Sequence, residues 1–170
     1  MKIYLAGSVP KGDEEAKDYI DWRKEYFKTI SQNINDVELL DANDFYILEG
    51  NSEALFGAEC SHIKKSDLVI VNAETKLGAG TAMELVIAKY FRKPVITVLP
   101  KNSDHRRSNL IFRGKEVKEW IHPFIDTFSD VIIEKIFEIK NAVELIKKQK
   151  IKGISVIDEA IQYTQTILKE

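Results

Sequence analysis

A single cysteine, Cys60, rules out an internal disulfide and any multi-cysteine zinc or iron–sulfur site, and it suits a reducing compartment. Long apolar runs are missing too: no stretch approaches the roughly 18 residues of a membrane span, and no basic-then-apolar leader pattern opens the chain. Neither charge dominates. Lys+Arg total 25 against 27 Asp+Glu, a formal net charge of -2, so nothing global recruits polymeric nucleic acid or an anionic membrane surface, and phosphate recognition must be local. The histidines His62, His105 and His122 are too scattered for a triad or a metal cage and read as structural or surface residues. Repeats and low-complexity tracts are lacking. With 170 residues, the chain is expected to form one compact, soluble, cytoplasmic domain that needs neither metal nor cofactor.

Lys2 to Ala6 is short, apolar and partly β-branched and ends at Gly7-Ser8, which reads as a first, central strand entering a tight turn. Asp13 to Asn33 carries Ala16, Tyr19, Ile20, Trp22, Tyr26, Phe27 and Ile30 at helical spacing behind an acidic first turn. Val37 to Leu40 is a second strand, and Asp41 to Ser52 a functional loop or irregular helix without clear period. Helix is expected from Leu55 to Lys65. Strands follow at Leu68 to Val71, apolar enough to be buried on both faces, and at Pro94 to Leu99, with prolines at its edges. Lys101 to Gly114 reads as a polar, basic loop, Glu116 to Phe124 as a short helix around Trp120, and Asp130 to Ile133 as an edge strand or helix start. From Ile133 to Lys150 and from Ser155 to Leu168 the period is helical, with a break at Lys152-Gly153. The expectation is a doubly wound α/β fold with a mostly parallel sheet of about five strands and extra C-terminal helices over 133–170.

Between the last two of these buried strands lies Lys76-Leu-Gly-Ala-Gly-Thr-Ala-Met-Glu-Leu-Val-Ile-Ala-Lys89, a glycine turn opening a helix that carries Glu84 just inside its start. In open α/β sheets small ligands sit beyond the carboxyl ends of the strands, where helix N-termini favour anionic groups. Gly78 and Gly80 permit close backbone approach, and the apolar run Leu85 to Ala88 indicates burial around Glu84. A partly desolvated carboxylate so placed can act as nucleophile at a sugar anomeric carbon; the bland alternative is a solvated glutamate favoured by the helix dipole.

Met1-Lys-Ile-Tyr-Leu-Ala-Gly-Ser8, Ser66-Asp-Leu-Val-Ile-Val71, Gly78-Ala-Gly-Thr-Ala-Met-Glu84 and Lys93-Pro-Val95, in that order, resemble the nucleoside 2-deoxyribosyltransferase family, which includes the 2'-deoxynucleoside 5'-phosphate N-hydrolases. The resemblance implies cleavage of an N-glycosidic bond through a covalent glutamyl–sugar intermediate, with Glu84 as nucleophile. It places Glu59 where the family carries a proton-transferring aspartate, a departure of one methylene, and Tyr4 where an aromatic hydroxyl orients the nucleophile. It assigns Gly7 and Ser8 to a turn that cradles a 5'-phosphate, with Lys11 in place of an arginine, which keeps charge without the bidentate fork. Asp67 reads as a strand anchor, and Cys60 as a small buried hydrophobe.

The basic segment after the fourth strand offers Arg106, Arg107, Ser108 and Asn109, and the resemblance implies that a serine here reaches a neighbour's phosphate across a dimer. It implies a homodimer or higher homo-oligomer acting on a small nucleoside or nucleotide. The long helical C-terminus departs from the base-exchanging transferases and the arginines point toward a phosphorylated substrate, while the acceptor, water or another base, stays open. Two alternatives stand beside this. Gly78-x-Gly-Thr-x-x-Glu84 also resembles the phosphoribohydrolases that release cytokinin bases, although Thr75-Lys-Leu77 lacks their glycine-rich approach; a non-catalytic nucleotide sensor could use the same glycines.

Overall fold

The structure is a computed structural model and describes residues 1–41, 48 and 50–168. The irregular segment expected at Asp41 to Ser52 falls largely outside the described residues.

Five strands form one parallel sheet: β1 (Lys2–Ala6), β2 (Glu38–Leu40), β3 (Leu68–Asn72), β4 (Val95–Val98) and β7 (Val131–Ile133), in the order β2-β1-β3-β4-β7. This is the expected doubly wound α/β sheet. β1 is interior, and Asp67 is the anchor the sequence suggested: its carboxylate accepts from the Lys2 backbone N–H at 2.7 Å while its own N–H donates to the Lys2 carbonyl.

Period-two alternation sorts the strands' side chains between two cores. Ile3, Leu5, Leu68, Ile70, Ile96 and Val98 face one layer with Tyr26 and Ile30 of α2 (Trp22–Asn33) and Ile139, Ala142 and Val143 of α6 (Ile139–Ile146). Tyr4, Ala6, Val69, Val71 and Val95 face the other, with Ile63 of α3 (Ser52–Lys65), Leu85 and Ala88 of α4 (Ala79–Tyr90) and Ile125 and Phe128 of α5 (Pro123–Phe128). The register therefore sends Tyr4 toward the helices that carry Glu59 and Glu84. Burying one such aliphatic side chain contributes about 1.5–3 kcal/mol. α6 belongs to this core, whereas α7 (Val156–Ile167) buries none of its residues.

Three expectations need correction. The single helix at Asp13 to Asn33 is two, α1 (Gly12–Ala16) and α2, because the Asp21 carboxylate caps the Arg23 N–H at 3.2 Å and starts a new helix there. The polar loop at Lys101 to Gly114 is largely strand: β5 (Arg106–Phe112) pairs antiparallel with β6 (Lys115–Ile121), which replaces the short helix expected around Trp120. Arg113 and Gly114, both at positive φ, form the two-residue hairpin turn that suits twisted strands. Only after it does helix begin, at Pro123, where a missing N–H costs nothing.

At the far end of the sheet Lys89 and Asp130 form an ion pair with both side chains at 0% exposure. Asp130 also accepts from the backbone N–H of Val95 at 2.7 Å and of Lys152 at 2.9 Å, and Lys152 Nζ donates to the carbonyls of Asp126, Thr127 and Ser129. Every charge is thus hydrogen-bonded, the condition for tolerating burial. The clamp ties the C-terminal segment to β4 and caps α5.

Candidate active site

β1 connects to β2 on one side of the sheet and β3 to β4 on the other, so winding reverses between β1 and β3. Outside the carboxyl ends of those two strands a crevice must open. A cleft of about 520 Å³ opens there, lined by Tyr4, the turn after β1 at Gly7 to Val9, the turn and first residues of α4 at Lys76 to Gly80, and Glu59 and Glu84.

Each candidate side chain is delivered by a simple local cause. Thr81, Leu85 and Ala88 make the buried stripe of α4, and Glu84, three residues past Thr81, stands at the rim of that stripe one turn from the helix start. Glu59 lies one turn before the buried Ile63 on α3. Tyr4, 1% exposed, donates its phenolic proton to Glu84 Oε1. This contact joins residues 80 apart in sequence and fixes the carboxylate's orientation.

Burial is the main cause that pushes the Glu84 carboxyl up, to about 7; the neighbouring Glu59 adds to it, while the Tyr4 hydrogen bond and the Arg23 charge oppose it. Tyr4 is driven far above the phenolic range by burial and then by Glu84, so its hydroxyl stays a donor. The Cys60 thiol is raised by burial, then by Glu59 and Glu84, and remains protonated and unsuited to nucleophilic work.

The two glycine turns differ. A Cβ on Gly7 would lie 2.4 Å from Trp22 Cζ2, because the indole packs beneath that turn and donates Nε1–H to the Ser8 carbonyl at 2.9 Å. At Gly78 and Gly80 a Cβ would meet nothing within 4 Å, so packing does not require glycine there. Gly78 is the N-cap of α4 and no side chain caps it, leaving first-turn N–H groups toward the cleft. Lys11 lines the cleft, its backbone N–H held by Glu15 Oε2 at 2.8 Å.

Arg106, Arg107, Ser108 and Asn109 do not reach this cleft within the chain. Arg106 pairs with Glu119 and Glu134 and donates to the Leu99 carbonyl, fixing the hairpin to the end of β4; Arg107 approaches Asp104 at 3.8 Å. Arg107 and Ser108 border a separate depression of about 280 Å³.

Two cleft cations escaped sequence reasoning. Arg23, 3% exposed, pairs with Asp21 at 3.0 Å and stands 3.8 Å from Asp41. Its signal was present: Arg23, Tyr26 and Ile30 share one helical stripe, and a cation in an apolar stripe demands an explanation. Lys76, directly before the glycine turn, also lines the cleft. Among the described residues no cluster of His, Cys, Asp and Glu could hold a metal ion, and no helix is long and apolar enough to cross a membrane.

Fold and cleft together define a doubly wound α/β protein whose switch-point crevice is lined by two carboxylates, Glu59 and Glu84. No family model and no curated protein matches the chain. Solved structures do match. A 2-deoxyribosyltransferase from the psychrotolerant bacterium Bacillus psychrosaccharolyticus aligns over 83% of this chain and 91% of its own, at 19% identity and a TM-score of 0.54, and so shares the fold. The CMP N-glycosidase BcmB of Clostridium botulinum aligns over 86% of this chain and 99% of its own, at 16% identity and a TM-score of 0.47.

Proposed function

We propose that the chain is a member of the nucleoside 2-deoxyribosyltransferase family that cleaves the N-glycosidic bond of a 2'-deoxynucleoside or its 5'-monophosphate. The observation that carries this reading is the Tyr4–Glu84 hydrogen bond inside the switch-point cleft. A carboxylate held on one oxygen keeps the other free to attack, and partial desolvation sharpens it as a nucleophile.

In the first step a Glu84 oxygen bonds to C1' as the C1'–N bond breaks; the bond's electron pair leaves with the base, which takes a proton from the Glu59 carboxyl. A glycosyl ester remains on Glu84. In the second step water, losing its proton to the Glu59 carboxylate, attacks C1', and the ester electrons return to Glu84. A second base as acceptor makes the same chemistry a transfer. Lys11, Lys76 and the open first turn of α4 give a phosphate or sugar hydroxyls partners at the cleft mouth.

The test is release of free base from dCMP, dGMP, their nucleosides and the matching ribonucleotides, with and without an added acceptor base. Base release from deoxy substrates, abolished in Glu84→Ala, is the expected result. Ligand binding without turnover in every case would favour a nucleotide sensor, and release from ribonucleotides alone a phosphoribohydrolase.

A further inference from the structure

We infer that His105 is a positioning residue for the Glu84 cleft: its Nε2 accepts the Leu77 backbone N–H and so holds the turn that opens α4 in the shape that admits substrate. The contact measures 2.9 Å. Leu77, Gly78, Ala79 and Gly80 line one wall of the cleft; Leu77 and Gly78 end a stretch, 73–78, that is neither strand nor helix, and Ala79 and Gly80 open α4. An accepting Nε2 requires the neutral imidazole that carries its proton on Nδ1, never the doubly protonated cation, whose two nitrogens both donate.

His105 itself stands on a fixed base. Its carbonyl accepts from the His122 N–H at 2.8 Å, closing the hairpin, and the adjoining Arg106 pairs across the hairpin with Glu119 and ties it to Leu99 and Glu134. Behind the turn lies a cavity of about 240 Å³ bordered by Leu77, Leu85, His105, His122, Phe124 and Phe128, a mostly apolar surround with little to substitute for the imidazole. The rings of His105 and His122 meet edge to face at 5.6 Å. The charged and titratable groups facing His105 are His122 at the end of β6, Asp104 and Arg107 on its own segment, and Lys76 on the turn. Burial and then His122 lower its pKa, Lys76 and Arg107 add to that, and Asp104 opposes. At neutral pH the ring is therefore an acceptor. As pH falls through that lowered value, two donors face one another and the turn must shift, weakening substrate capture while leaving Glu84 and Tyr4 in place.

This inference rests on the proposed activity, and the experiment separates the two. His105→Leu removes the acceptor, and His105→Gln supplies an amide oxygen at the Nε2 position. Steady-state base release is measured with both variants and the parent from pH 5 to 8, alongside the Leu77 amide by ¹⁵N NMR shift and hydrogen exchange. The expected result is a KM about 10-fold higher in His105→Leu, the scale of one lost hydrogen bond, with kcat nearly unchanged. KM in the parent should rise toward acid pH, and His105→Gln should restore the neutral KM without that rise. In the parent the Leu77 amide should be protected and titrate with the His105 ring. An unchanged KM in His105→Leu, or a Leu77 amide that neither is protected nor follows the ring, overturns the inference. The amide readout needs no turnover, so a chain that released no base would overturn the proposed activity while the amide still decided the His105 contact.

Discussion

Glu84 and Tyr4 have to be considered as one unit, because each alters the other's proton affinity. A nucleophile must be ionised, so base release should rise through an acid limb near pH 7, where burial has moved the Glu84 carboxyl. The Tyr4 hydrogen bond opposes that shift, so Tyr4→Phe should move the limb to higher pH and lower kcat by roughly 10–100-fold; a pH–rate profile of both proteins checks this. The same raised pKa has a thermodynamic counterpart. A carboxyl whose folded-state value lies above its ordinary 4.5 destabilises the fold when ionised; that cost is absent below the ordinary value, grows between the two, and is complete above about 7. Glu84→Gln, which keeps an acceptor for Tyr4, should therefore stabilise the protein by about 1–3 kcal/mol at pH 8 and by almost nothing at pH 4. Denaturant melts at the two pH values read the difference.

At the scale of elements, the βαβ unit around Glu84 was legible because its signals agree: an apolar run, a glycine turn, a helical stripe and a second apolar run. The hairpin was not. Its strands place polar and charged residues on both faces, Arg106, Arg107 and Ser108 opposite Ile121, Trp120 and Glu119, so no alternation marks it. The break between α1 and α2 was hidden because Asp21 can cap a helix or sit within one, and periodicity continues across it. Paired glycine substitutions separate turns that serve packing from turns that serve a ligand. Gly7→Ala must displace Trp22 and should cost about 1–3 kcal/mol. Gly80→Ala meets nothing and sits in helix, so it should gain up to about 1 kcal/mol of stability while raising KM. Thermal melts with Michaelis kinetics on the two variants check the pair.

For the whole molecule, the alternation of apolar runs and helical periods carried the doubly wound class of the sheet and hence a crevice beyond its strand ends. Arg23 did leave a trace, a cation in an apolar helical stripe, whereas His105 left none, because its hold on Leu77 is a contact between separate elements that no local pattern encodes. Arg107, Ser108 and Asn109 lie outside the chain's own cleft, which leaves a neighbouring copy as the way they would meet a phosphate. The proposed homo-oligomer would cover exposed apolar side chains such as Met83 at 57%, Tyr90 at 68% and Phe124 at 66%. Sedimentation should accordingly give at least twice the mass of one chain, and a monomer at working concentration would remove that role for the hairpin.

The most direct measurement of the central claim is mass spectrometry of protein quenched in acid during turnover, followed by peptide mapping. A deoxyribosyl adduct on the peptide that contains Glu84, missing from Glu84→Gln, is the predicted result. Base released at full rate by Glu84→Ala, with no adduct on any carboxylate, would contradict it.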